Sequence, residues 1–205
     1  IVLPLRVIFC KKEYVDAVDL KVEEFYKMLS EADELPTTSQ VTPEQYMEHF
    51  EQAKAAGDDL ICIHVSSSMS GTLQSANIAR EHIDYKGIHI IDSRTVTVQL
   101  GLMVLEACAM REKGASAEEI IARVISMINS TRLYASIATL KYLKKGGRIK
   151  ATSAAIGNAL NIKPIITIAD GLVESIGKAR GVKKSFEEIK NIIEMSGSTL
   201  NDKRI

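Results

Sequence analysis

Between Thr42 and Ile91 the chain alternates helix and strand signals, and that alternation limits it to α/β architectures. Thr42 is an N-cap, Pro43 takes the first helical position, Gln45 completes a capping box and Gly57 ends the helix. Tyr46, Phe50 and Ala53 recur at helical spacing and form its apolar stripe. Leu60 to Val65 reads as a buried strand, Ser66 to Ser70 as a serine-rich turn, and Gly71 to His82 as a helix leaving it. Ile88 to Ile91 is the next strand. On either side, Leu3 to Phe9 predicts a buried strand and Val22 to Leu29 an amphipathic helix. Leu35 to Gln40 predicts a polar loop. Thr95 to Lys113 predicts a helix stopped by Gly114, and Ser116 with Glu119 forms a capping box for another. The expectation is an N-terminal parallel α/β domain over residues 1–130.

Past Ser130 the pattern changes. Leu133 to Ala138 reads as a strand, Thr139 to Lys145 as a short helix closed by Gly146-Gly147, and Ser153 to Leu160 as a helix of small residues. Asp170-Gly171 between two β-branched runs is a hairpin signal. Ser185 with Glu188 predicts the start of a last helix. Residues 131–205 are therefore expected to be part of a C-terminal α+β domain. Charge divides there too. Residues 1–132 hold 13 Lys/Arg against 20 Asp/Glu, and residues 133–205 hold 13 against 6, so a chain of zero formal charge has a basic second part.

Several function classes lack their sequence signs. Cys10, Cys62 and Cys108 are too scattered for a disulfide framework or a zinc site. Neither G-x-x-x-x-G-K-[ST] nor G-x-G-x-x-G occurs, so no nucleotide fingerprint is present. The chain has no Trp and 5% aromatic residues, which argues against stacking on nucleic acid. No apolar run approaches the roughly 18 residues of a membrane span, and neither a basic leader nor a cleavage site is visible. Reduced thiols fit a cytoplasmic protein without stable membrane insertion.

The turn Ser66-Ser67-Ser68-Met69-Ser70-Gly71-Thr72 carries the clearest chemistry. It leaves a strand and opens a helix, where ligands sit in open parallel sheets. Free N–H groups and the positive dipole end of the helix favour an anion there. Gly71 admits close approach, and Ser70 and Thr72 add hydroxyl donors. The plainer reading is that Ser70 caps its own helix. Thr37, Thr38 and Ser39 supply hydroxyls from a second segment, which gain meaning only if it lies beside the turn. Arg148 follows Gly146-Gly147, and Arg180 lies in a basic stretch with Lys178, Lys183 and Lys184. Either arginine could hold a phosphate by its planar fork, or simply be solvated. His64 with Asp92 does not by itself argue a triad, because geometry defines one.

Taken in order, Pro36-Thr37-Thr38-Ser39-Gln40, Ser67 through Ala76, Ile91-Asp92-Ser93 and Leu143 through Ile149 resemble the signature segments of the DegV family. Ile162-Lys163-Pro164-Ile165 and Gly177-Lys178-Ala179-Arg180 extend the resemblance, which runs from Ile1 to Met195. It implies a DegV-like two-domain fold that holds a long-chain fatty acid between its domains. The carboxylate would be bound by Thr38 and Ser70, with Ser39, Gly71 and Thr72 supporting the anion site. Arg148 and Arg180 match positions suited to phosphate or to a kinase face. The resemblance further implies a carrier subunit with no catalytic residue, no ATP site and no cofactor beyond its lipid ligand. Its partner would be a separate ATP-binding fatty acid kinase subunit that forms an acyl phosphate. The family's opening strand with its Asp-Ser turn has no counterpart here, nor does the carboxyl-terminal portion with its His, so both ends are expected to be truncated. Two other classes compete: an enzyme using the same helix-terminus anion site on a small phosphorylated or carboxylated metabolite, and a nucleic-acid binder using the basic second part.

Overall fold

The computed structural model describes residues 1–32, 34–153 and 161–197. They form two compact units, Ile1–Ser126 and Met127–Ile205. Both mix helices with sheets, in keeping with the α/β class.

In the first unit, β1 (Arg6–Phe9) is the middle of a three-stranded sheet between β2 (Lys12–Val15) and β3 (Thr37–Ser39). Both neighbours are antiparallel to it, so the opening strand does not join a parallel sheet. The β1–β2 connection is a tight one, with Cys10 and Lys11 both at positive φ, and such a link forces antiparallel pairing. The segment 37–39, expected to be loop, pairs with β1 through Thr38 opposite Val7. The parallel element is the pair β4 (Leu60–His64) and β5 (Ile88–Asp92), which runs in register from Leu60 opposite Ile88 to His64 opposite Asp92. Helix α1 (Val22–Glu31) follows β2. Helices α2 (Pro43–Ala56) and α3 (Thr72–Ile83) flank β4 in the chain, and α4 (Thr97–Glu112) and α5 (Ala117–Ser130) follow β5.

Helix α2 forms as its punctuation predicts. The Thr42 side chain accepts the backbone N–H of Gln45, and the Gln45 side chain accepts the N–H of Thr42 at 3.0 Å. Gly57 closes the helix at φ 74°, a conformation in which a Cβ is strained. Gln45→Ala breaks half of the box, so the first unit is expected to lose about 1 kcal/mol in denaturant melts. Along the inner face of α2, Tyr46 and Phe50 pack with Ala76, Ala79 and Ile83 of α3, with Ile88 of β5 and with Val41. Phe50 is only 1% exposed. Fully burying such side chains contributes roughly 1.5–3 kcal/mol each. Val41 directly follows the Thr-Ser segment, and Ala76 lies one turn into the helix after the serine turn. One core therefore anchors both hydroxyl-bearing segments.

The second unit carries the antiparallel sheet β6–β7–β8, formed by Tyr134–Ser136, Ile162–Ala169 and Leu172–Arg180. Asp170 at φ 52° and Gly171 at φ 77° make the two-residue hairpin turn. Ile165, Ile166 and Val173 are buried on this sheet, and Leu140 is buried just before α6 (Lys141–Gly146), which ends at Gly147 in the left-handed conformation. Helix α7 (Val182–Met195) starts three residues before Ser185, with Gly181 as its N-cap. Ser185 is a buried interior residue whose hydroxyl donates to the Val182 carbonyl at 2.7 Å and accepts from Ser136 at 2.8 Å. Its pairing with Glu188 in sequence only imitates a cap. Ala151–Ser153 form a short 3-10 turn, and most of the helix expected from Ser153 to Leu160 lies outside the described residues.

Candidate functional site

The serine turn leaves the carboxyl end of β4 and is clipped to the end of β5. Buried Ser66 donates its N–H to the Thr95 carbonyl at 2.9 Å, and its own carbonyl accepts the N–H groups of Met69 at 3.0 Å and Ser70 at 3.2 Å. The Ser93 N–H reaches the His64 carbonyl at 3.2 Å. The Asp92 carboxylate accepts the Ser67 N–H at 3.2 Å, the Ser67 hydroxyl at 2.5 Å and the Arg94 N–H at 2.9 Å. Such charge-assisted bonds are the stronger kind, and they give the turn one shape.

Ser70 sits just before the N-cap Gly71, and no side-chain cap bond is made by that N-cap residue. The Ser70 oxygen accepts the Thr72 N–H at 3.3 Å and lies 2.8 Å from the Thr72 hydroxyl. The simple capping reading of Ser70 is thus partly right, since one helix-start N–H is satisfied there. Either hydroxyl can donate in this pair, and when Thr72 donates, the Ser70 O–H is left available to donate elsewhere.

The Thr-Ser strand lies against this turn. The Gln40 amide rests on Gly71, where an added Cβ would overlap it, and the Gln40 Nε2 donates to the buried Ser75 hydroxyl at 2.8 Å. Gly71 has φ −75°, so what a side chain there would disturb is not the backbone but the Gln40 amide, which would have to swing away. Strand alternation puts Thr38 on the Val7 face of β1 and Ser39 on the opposite, Arg6 face. Thr38 and Ser39 consequently cannot both meet one headgroup from the same side. Continued past Ser39, the alternation returns to the Thr38 face at Gln40, the residue that touches the turn.

His64 and Asp92 do not form a relay. The His64 Nε2 meets the Tyr46 hydroxyl at 3.1 Å, and its Nδ1 has no hydrogen-bond partner among the described residues. The Asp92 oxygens are engaged by Ser67 and Arg94. Burial lowers the His64 pKa below the ordinary 6.5, opposed by the Ile91 and Cys62 carbonyls and by the Asp92 charge. Burial also raises the Tyr46 phenol and pushes the Cys62 thiol up to about 11. The unfolded chain therefore binds a proton on this histidine more readily than the folded one. Stability is fully present above the ordinary value and drains away as pH falls below it. Melting temperature is expected to decline from pH 7.5 to 5.5, and His64→Gln, which has no ring to titrate, is expected to lose that part of the slope.

In the second unit, the Arg148 carbonyl accepts the Val173 N–H near the start of β8, while Arg180 ends that strand opposite Ile162. Seven residues of strand separate the two backbones by about 20 Å. The two arginines are thus carried at opposite ends of β8. Arg148 is exposed and donates to the Gly146 carbonyl at 2.5 Å, and Arg180 is exposed. Nearby Lys150 bridges Asp170 at 2.7 Å and Glu174 at 3.2 Å, and its ammonium pKa is raised by those two bonds. Among the described residues, no group of three His, Cys, Asp or Glu could hold a metal ion, and no helix is long and apolar enough to cross a membrane.

Sequence reading missed two contributors. In the sequence Gln40 is part of a motif with no role of its own, and Asp92 reads as a triad candidate and as part of a signature segment. Gly71 signals in sequence that something approaches closely, but only the fold shows that the Gln40 amide is what does so.

A parallel strand pair that feeds a hydroxyl-rich turn into a helix start defines an α/β protein with a candidate site at its strand ends. The family model described as "Uncharacterised protein, DegV family" matches residues 1–205, and the chain belongs to the DegV family. It is 41% identical over 204 residues to a DegV domain-containing protein of Caldanaerobacter subterraneus subsp. tengcongensis, covering 100% of this chain and 72% of that one. A solved DegV family protein from Thermus thermophilus, described by its fatty acid binding, is similar with TM-score 0.85 at 34% identity, over 94% of this chain and 68% of that chain. A stearic acid-binding protein from Eubacterium ventriosum is similar with TM-score 0.81 at 28% identity, over 94% of this chain and 69% of that chain.

Proposed function

We propose that this chain is a cytoplasmic carrier that binds a long-chain fatty acid, with Thr38 and Ser70 gripping the carboxylate, and presents that headgroup to a separate ATP-binding kinase subunit. One observation carries the reading: the end of β3 and the start of α3 are in side-chain contact, Gln40 on Gly71 and Ser75. That contact joins the two segments that carry Thr38 and Ser70, 32 positions apart in the sequence, which supports a shared grip. The described fatty acid binding of the Thermus thermophilus and Eubacterium ventriosum proteins supports the same ligand class.

Neutral donors suit this task. A serine hydroxyl and a threonine hydroxyl can hydrogen-bond a carboxylate and also the acyl phosphate made from it, with no change of protonation. Gly71 and Thr72 support the grip through the helix start, whereas Ser39 occupies the other face of β3. Arg148 and Arg180 act separately, one at each end of β8, as contacts for the phosphate donor subunit. The carrier does no chemistry on ATP itself.

Incubation with palmitate followed by native mass spectrometry tests the first half, with a one-to-one complex expected. Addition of ATP alone should leave the bound acid unchanged, while addition of the family's kinase subunit with ATP should yield acyl phosphate. Retention of a small phosphorylated metabolite in place of palmitate would support the competing enzyme reading.

A further inference from the structure

We propose that Gln40 is a positioning residue that sets the spacing between Thr38 and Ser70, and that Gly71 is kept free of a side chain to receive it. This rests on the carboxylate site proposed above. The Gln40 amide is a bridge between two elements. Its backbone continues β3, two residues after Thr38, and its amide group lies over Gly71, one residue after Ser70. The bond from Nε2 to the Ser75 Oγ, at 2.8 Å, fixes the amide along the first turn of α3. Ser75 is 1% exposed, so its hydroxyl has a single well-defined environment in which to accept. Two neighbours secure the ends of the bridge: buried Val41 anchors the strand side, and Ala76, with no exposure at all, anchors the helix side.

Gln40 is nevertheless an exposed residue. A residue serving only the fold would be expected to bury more apolar surface than this one does. What the bridge controls is the distance between two hydroxyls that must meet two oxygens of one headgroup, a small span in which a shift of an ångström breaks a hydrogen bond. Gly71→Ala and Gln40→Ala should therefore damage the same contact by different routes. The first evicts the amide with a methyl group, and the second removes it. In a chain already lacking the amide, a Cβ at residue 71 meets nothing from Gln40.

The test is a double-mutant cycle read with two ligands, palmitate and hexadecanol, which share a tail and differ in headgroup. Gln40→Ala is expected to weaken palmitate about tenfold, the scale of one hydrogen bond to a charged group. Hexadecanol affinity should stay within about twofold and the melting temperature within a few degrees. Gly71→Ala should reproduce that selective loss, and the double variant should be no worse than either single one, since both act on one contact. Equal losses for acid and alcohol, or additive losses in the double variant, would overturn the assignment. So would a Gln40→Ala protein that keeps the full preference for the acid. A wild-type protein that shows no preference for the acid would instead remove the carboxylate site itself, and this proposal with it. The melting temperatures of the four proteins would then still report whether Gln40 and Gly71 are coupled.

Discussion

Shortening the fatty acid from sixteen carbons to ten is expected to weaken binding by about 5 kcal/mol, roughly three orders of magnitude in Kd. The headgroup is constant across such a series, so everything the carboxylate contributes cancels. What remains is six methylenes at about 0.8 kcal/mol each. The whole tail of a palmitate, about fifteen such groups, could supply on the order of 12 kcal/mol before the costs of association are subtracted. No hydroxyl pair competes with that sum. Affinity should therefore live in the tail and orientation in the headgroup contacts. Isothermal titration with acids of ten, twelve, fourteen and sixteen carbons, each below its micellar concentration, measures the slope. A flat series would point to a compact polar pocket and to the small-metabolite reading.

The parts of this chain that could be read in advance are those whose causes are local. Helix α2 announces itself because Thr42, Pro43, Gln45 and Gly57 each act within four residues of the backbone group they serve. The Asp170-Gly171 hairpin is legible for the same reason. The strand at Lys12–Val15 is not, because a four-residue run with two exposed charged residues shows no clear alternation and owes its pairing to β1. Thr37–Ser39 reads as turn chemistry from its hydroxyls, yet pairing with Arg6 to Ile8 makes it a strand. Ser185 misleads because a serine three residues before a glutamate is a helix-start pattern, while here the hydroxyl meets Ser136, 49 positions away. The candidate site divides the same way. Its hydroxyl-bearing turn is visible as a run of serines ahead of a helix. The contact that makes two segments into one site, Gln40 with Gly71 and Ser75, joins residues 35 positions apart at Ser75 and leaves no periodic trace.

Thr38→Ala combined with Ser70→Ala is expected to weaken a sixteen-carbon acid by about 3–6 kcal/mol, two to four orders of magnitude, since each lost bond to a carboxylate nets roughly 1.5–3 kcal/mol. Hexadecanol binding should change far less, because an alcohol needs one partner at most and its tail is untouched. The two substitutions should not be equal. The Ser70 oxygen accepts the Thr72 N–H and meets the Thr72 hydroxyl, so removing it also frees a helix-start N–H and the buried Thr72 hydroxyl. Thr38 stands exposed on an edge strand, and its loss should cost binding with little effect on melting. Ser70→Ala alone should lower the melting temperature as well, on the scale of a lost cap, about 1 kcal/mol. Ser70→Thr keeps the oxygen and is expected to restore most of the stability. If Thr38→Ala left acid and alcohol equally tight, the second segment would have no part in the grip, and the contact between Gln40 and Gly71 would serve the fold alone.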